Sequence, residues 1–318
     1  MHPAFSVIAF TTLSGAGYGL ALVLALGHGN PGALSTKIAW LVALGLITVG
    51  FLSSTLHLGN PQRAWRAVSQ WRSSWLSREG CMCFVSYVPL CLLAAMSIFY
   101  DSFNLTLGYV GAICCIVTVY CTAMIYASLR TIASWHTRWT PAFYLAFSLT
   151  SGTFIYLAFF GPPAGSRSLE IWIYLAVVFL VASWAIKYAW SRRAAQIGYG
   201  QSTMETATGL GSIGKVRLLE RPHAMGNYLT NEMGFRIGRK HAEKLHKIAL
   251  FLGLIVPIVL LLVSLAAPAL AVIFPIVATL SFMAAIFVDR WLFFATARHA
   301  VGLYYGGDEA LMAAEAAE

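Results

Sequence analysis

Three features of the chain predict an all-α integral membrane protein of eight transmembrane helices with both termini cytoplasmic. Its 318 residues are 59% hydrophobic and only 10% charged, against about 45–50% and about 25% in soluble globular proteins. Eight segments, roughly 4–27, 38–57, 81–100, 104–127, 141–162, 170–190, 247–267 and 270–297, are long and apolar, and a helical crossing takes about 20 such residues. The cationic residues, finally, are divided very unequally between the two ends that those segments define. Helices are the expected form because backbone polar groups in lipid must be satisfied within the segment. The segments also lack the period-two alternation of a membrane β-barrel.

Taken in order, the first segment carries no cationic leader or small-residue cleavage site and no twin-arginine signal, and reads as a retained helix. A Gly/Pro turn at 28–32 separates it from the second segment, which ends at His57, with Gly59 and Pro61 as stop signals. Short connections around Asp101–Asn104, at 161–165 and at Pro268 join segments 3–4, 5–6 and 7–8. Pro141 suits the first turn of the fifth helix. One insert interrupts this single membrane domain (1–318): residues 192–246, between helices 6 and 7. It is Gly-rich at 198–214 and basic afterwards, and its size fits a docking or regulatory element; the plainer alternative is a basic linker lying on lipid head groups.

With eight spans, 19 of the 21 Lys and Arg residues fall on the side of the termini, and only Lys37 and Arg167 fall on the other. The positive-inside rule puts the termini and the 57–79 loop in the cytoplasm. The net charge of +9 is thus a topology signal, with acidic lipid heads or a partner subunit as its counterpart, and not a nucleic-acid footprint.

The six cysteines, at 81, 83, 91, 114, 115 and 121, all lie in helices 3 and 4 without C-x2-C spacing, and are expected to pack as small hydrophobes. No metal is expected on this protein. Haem b is not expected either, since the histidines lie at helix ends and in loops rather than in mid-span.

The 57–79 loop concentrates His57, Arg63, Arg66, Arg72, Arg78, Glu79, Trp65, Trp71 and Trp75 between two apolar spans. Ionisable groups at membrane depth default to function, and beside aromatics at a water boundary they suit an amphipathic redox lipid such as a quinone. Reducing a quinone consumes two protons, for which His57 and Glu79 are the candidate relay. Each has a plainer role: His57 as a helix C-terminal cation, Glu79 as partner of Arg78 or Arg72. Arg63 and Arg66 serve equally as topology markers or partner contacts, and the tryptophans as an interfacial belt. At the end of helix 8, Asp289 and Arg290 fall near the membrane boundary, where Arg290 is a further candidate for the quinone site.

His57-Leu-Gly-Asn60-Pro-Gln-Arg63-Ala resembles the H-L-G-x-P-x-R-A motif of the dimethyl sulfoxide reductase membrane-anchor family. Ser77-Arg-Glu79, Trp139-Thr-Pro141 and the basic, aromatic end of helix 8 are similar to that family's pattern, and the resemblance extends over all eight helices. It implies a haem-free quinone-site subunit that anchors a molybdopterin catalytic subunit and a four-cluster iron–sulfur subunit in the bacterial inner membrane. It also implies that His57 and Glu79 are the quinone-site pair, with Asn60 and Arg63 shaping the site. The cytoplasm-facing charge bias and the 192–246 insert depart from the reductase anchors. They look more like the anchor of the cytoplasmic sulfite-oxidising complexes, in which electrons from sulfite reach quinone. The alternatives are a sulfoxide- or polysulfide-reductase anchor oxidising quinol, a purely structural anchor, and a secondary transporter. Transport would call for a midplane site with buried charges.

Overall fold

The computed structural model describes residues 3–55, 60–163, 165–220, 241–267, 269 and 271–305. His57, the most specific expectation of the sequence, lies outside the described residues, as does 221–240 of the long insert.

Eight helices long and apolar enough to span a membrane are present among the described residues: α1 Phe5–Ala25, α2 Leu34–Thr55, α3 Trp75–Tyr100, α4 Leu105–Ala127, α5 Trp139–Phe160, α6 Arg167–Ile197, α7 Ala242–Ala266 and α8 Ile273–Ala295. Three helix ends extend furthest beyond the hydropathy-based ones. Helix α3 begins at Trp75, because its polar first turns fold against the preceding loop instead of entering lipid. Helix α6 continues past the apolar stretch through the exposed Arg192 and Arg193, and α7 starts with the mixed turns of residues 242–246. Polar helical extensions of this kind carry no hydropathy signal.

Helices α1 and α5 are the most enclosed spans. Helix α1 packs against α2, α4, α5 and α8, while α6 and α7 close around α5 and α8. Lipid tails are as apolar as leucine, so association depends on close packing and interhelical hydrogen bonds. Both occur here. A Cβ on Gly19 would overlap the Ser148 carbonyl, and one on Gly152 would overlap the Gly19 backbone, so α1 and α5 touch backbone to backbone. Across the interfaces, Ser148 Oγ donates to Gly15 O at 2.6 Å, Tyr18 and Ser86 share a 2.9 Å bond, and Thr279 Oγ1 donates to Phe154 O at 3.1 Å. A π-helical turn at Phe251–Ile255 loosens the α7 backbone where Gly253 O accepts from Trp184 Nε1 at 2.8 Å.

At one end of the bundle the turns are short. Asp101 caps α3 in the left-handed region (φ 48°), a conformation Asp tolerates, and pairs with Lys37 at 2.7 Å. His28 meets Trp172 edge to face there, and burial lowers its pKa. The other end gathers the 60–74 loop, the 128–138 loop, the ends of α6 and α8, and residues 300–305. Trp190 Nε1 donates to Ser134 O at 2.9 Å, Trp135 Nε1 to Phe293 O at 3.1 Å, and Ala300 N to Thr131 O at 2.8 Å.

The α1–α5 contact generates a prediction. Gly152→Ala is expected to destabilise the protein by roughly 1–3 kcal/mol, the usual cost of overpacking, seen as a lower melting temperature in detergent. Gly45→Ala, at a glycine with open space around it, should leave the melting temperature unchanged.

Candidate functional site

The 60–74 loop is built onto the start of α3. Pro61–Val68 forms a 3-10 helix, and Ser77 Oγ donates to Ala67 O while accepting from Gln70 N at 3.2 Å. Arg78 donates to Trp71 O and Arg72 O at 3.0 and 2.7 Å and lies 4.2 Å from the Trp75 ring. Asn60, Arg63, Arg66, Trp65 and Trp71 are exposed on this loop. The structure therefore does not bring Asn60 or Arg63 into the interior with Glu79.

Glu79 sits one turn into α3, 3% exposed. Its expected pairing with Arg78 or Arg72 is not formed, because Arg78 is turned back to the loop carbonyls. The Thr122 hydroxyl of α4 lies beside its carboxyl group instead. Thr122 also lines a small cavity of about 10 Å³, whose other polar walls include Thr12, Ser148 and Ser151, with Tyr144 from α5 and Arg290 from α8. At 1.5 Å rise per residue, Glu79, Thr122, Tyr144 and Arg290 lie about 6–8 Å from the helix ends on this side. They form one polar layer.

That layer is under-satisfied. Among the described residues, Glu79 Oε1, Thr12 Oγ1, Tyr144 Oη and Arg290 Nε and Nη1 are buried without a hydrogen-bond partner. The Arg290 guanidinium instead stacks over the Tyr144 ring, 3.5 Å from its centroid. Next to it, Lys187 of α6 and Asp289 of α8 form a 3.0 Å ion pair, 2% and 0% exposed, with the ammonium 4.0 Å from the Trp190 ring centroid and 4.4 Å from that of Phe143. This corrects the charge count. Lys187 and Arg290 are interior groups and not loop cations, so the comparison becomes 17 against 2 (19 less these two). The bias keeps its sign.

Two further spaces adjoin the layer. An apolar groove of about 280 Å³ runs between α4 and α5 and shares Val119 and Ser148 with the polar cavity. A crevice of about 330 Å³ opens among α6, α7 and α8, with the Lys187–Asp289 pair in its lining. Among the described residues no three His, Cys, Asp or Glu side chains gather as metal ligands. Cys83, Cys114, Cys115 and Cys121 are buried in helix packing as expected, whereas Cys91 is exposed.

Residues 1–306 match the family model described as DMSO reductase anchor subunit (DmsC). The chain belongs to that family. It is also 33% identical to a sulfite dehydrogenase subunit of Allochromatium vinosum, over 96% of this protein and 99% of that one. With a polypeptide of the anaerobic dimethyl sulfoxide reductase of Escherichia coli it shares 30% identity over 38% of this protein and 44% of the other. No solved structure matches. Family membership agrees with the resemblance carried by the motif around Asn60 and Arg63 and by Ser77-Arg-Glu79.

Sequence reasoning singles out Glu79 and Arg290, which the structure brings into one layer. It misses Tyr144, Thr12, Thr122 and the partnership of Lys187 with Asp289. The one available signal is a lysine inside the apolar stretch 170–190.

Ser77 ties the loop to α3. Ser77→Ala should remove about 1 kcal/mol from that attachment and raise hydrogen exchange of the 66–74 amides, leaving exchange in α1 and α5 unaltered.

Proposed function

We propose that this protein is the quinone-reducing anchor of a molybdopterin and iron–sulfur oxidoreductase in the bacterial inner membrane, passing electrons from cytoplasmic sulfite oxidation to the quinone pool. The observation that carries the reading is the buried Glu79 carboxyl, one oxygen uncommitted, beside a cavity whose donors Tyr144 Oη and Arg290 Nε and Nη1 lack partners. A quinone carries carbonyl acceptors on an apolar body. Bound, it supplies a two-electron, two-proton acceptor. The groove of about 280 Å³ between α4 and α5, which shares Val119 and Ser148 with that cavity, is the space that can take its ring and tail.

In this reading Arg290 and Tyr144 orient the head group by donating hydrogen bonds, and Glu79 holds and delivers a proton at its free Oε1. His57, just beyond α2 in the sequence, is assigned the second proton. Asn60 and Arg63, exposed on the loop, are assigned to contact with the iron–sulfur subunit. The 17-to-2 distribution of cations supports placing this end, and hence the docked partners, in the cytoplasm. Near full-length similarity to a sulfite dehydrogenase subunit favours sulfite as the electron source. The partial match to a dimethyl sulfoxide reductase polypeptide leaves quinol oxidation by a sulfoxide-reducing complex as the second reading.

Complexes isolated through a tag on this protein should reduce a quinone analogue on addition of sulfite. His57→Ala and Glu79→Gln are each expected to lower that rate by about 10²-fold, the scale of a lost general acid, with all subunits retained. Sulfoxide reduction by quinol without any sulfite activity would overturn the sulfite reading, and full activity in both variants would overturn the site. For orientation, fluorescent protein fused at the C-terminus should fluoresce and alkaline phosphatase fused there should be inactive; the reverse pattern would refute a cytoplasmic C-terminus.

A further inference from the structure

We infer that the crevice among α6, α7 and α8 is a proton-uptake vestibule, and that the buried Lys187–Asp289 pair at its floor hands protons inward to Glu79. The inference rests on the quinone-reducing reading.

The pair is costly where it stands. Ionisable groups inside membrane spans are expensive and mark ion or proton pathways. Such a pair need not serve stability, since replacing a buried ion pair by apolar side chains of similar volume is often neutral or stabilising. Neither anchoring nor head-group binding uses it. Its surroundings suit a different task. The crevice measures about 330 Å³ and its walls carry Ser134, His246, Thr296 and Arg298. Water occupies about 30 Å³ per molecule in the liquid, so several fit. Asp289 Oδ2 lies 3.0 Å from the Lys187 ammonium, and both carboxylate oxygens are buried without a hydrogen-bond partner among the described residues.

Helix α8 carries the connection onward. Successive residues on an α-helix are rotated by about 100°. Asp289 thus faces the crevice and α6, and Arg290 faces the polar cavity and Tyr144 of α5. The cavity continues to Thr122, next to Glu79. Its unpartnered Thr12, Tyr144 and Arg290 atoms give it polar walls. The two spaces share no lining residue among the described residues, and the neighbours Asp289 and Arg290 on α8 are what stands between them.

The route matters because the shorter one is covered. Glu79 lies beneath the 60–74 loop, the face assigned to the partner subunit, whereas the crevice opens on the α6–α7–α8 flank. For each quinone reduced, two electrons arrive from the partner's iron–sulfur clusters and two protons are taken up. Each proton that leaves Glu79 for a quinone oxygen by this route is replaced by one drawn from crevice water through the Asp289 carboxylate.

The test uses the assembled complex with sulfite and a quinone analogue. Asp289→Asn is expected to lower kcat about tenfold or more, with KM for the analogue within about twofold and a larger solvent deuterium isotope effect. The double variant Lys187→Met with Asp289→Leu removes both charges at similar volume. It should keep the wild-type melting temperature yet stay slow. Wild-type kcat in the double variant would show the pair to be structural and overturn the inference, as would wild-type kcat in Asp289→Asn. If either variant fails to assemble, Ala195→Trp decides, since it fills the crevice from its wall: a slowed kcat supports the route and an unchanged one refutes it. A wild-type complex that reduces no quinone overturns the parent reading, whereas unaltered variants of an active complex overturn this inference alone.

Discussion

The backbone contact between α1 and α5 is the constraint on which the rest of the bundle depends. Gly19 and Gly152 let two helices approach more closely than any side chain would allow. At that spacing Ser148 reaches Gly15 O, and Thr11, Thr12 and Ser14 come to face Tyr144, Ser148 and Ser151. Helices α4 and α8 then close the remaining sides with Thr122 and Arg290. A wider separation would open the polar cavity further and leave its hydroxyls and guanidinium with less protein around them. One packing decision in mid-membrane thus creates the chemical environment nearer the surface.

The energetics of the polar layer favour a functional over a structural explanation. A desolvated cation over an aromatic face gains about 2 kcal/mol, and both Arg290 and Lys187 make such contacts. Each buried polar group left unpaired costs about 1–3 kcal/mol. Several such groups, on four helices, converge on or beside one cavity. Scattered defects would only weaken the fold. Gathered defects are a standing offer to a guest with complementary acceptors, because binding it recovers several of those costs at once.

Much of this is legible in the sequence, and the failures have specific causes. Eight spans follow from apolar length alone, and Glu79 stands out as an acid between two apolar segments. Arg290 is also marked, but as a boundary group; it is buried because α8 continues past it to Ala295. Lys187, though inside the sixth apolar stretch, is counted with the cations of the following loop, since its partner Asp289 is far away in sequence and only the α6–α8 packing joins them. Thr12, Thr122 and Tyr144 leave no trace, for hydroxyls in apolar helices usually bond to their own backbone, and whether they also face a common space depends on helix rotation. The loop carries Asn60 and Arg63 outward, which the motif itself does not reveal.

The contrast between buried Glu79 and the exposed Asn60 and Arg63 has a mechanistic consequence. Glu79, buried under the loop, is where a proton can be delivered without competition from bulk water, whereas the exposed loop residues are suited to meet another protein. In the proposed reading, electrons reach the site from the loop face, the lipid-soluble acceptor through the α4–α5 groove, and protons from the α6–α8 crevice. Three reactants with incompatible solvation needs thus approach from three directions. A protein interface excludes water, a lipid groove excludes charge, and a polar crevice excludes neither. Keeping these routes apart allows the polar layer to stay small and nearly dry, the setting in which the hydrogen bonds of Arg290 and Tyr144 to a carbonyl are strongest.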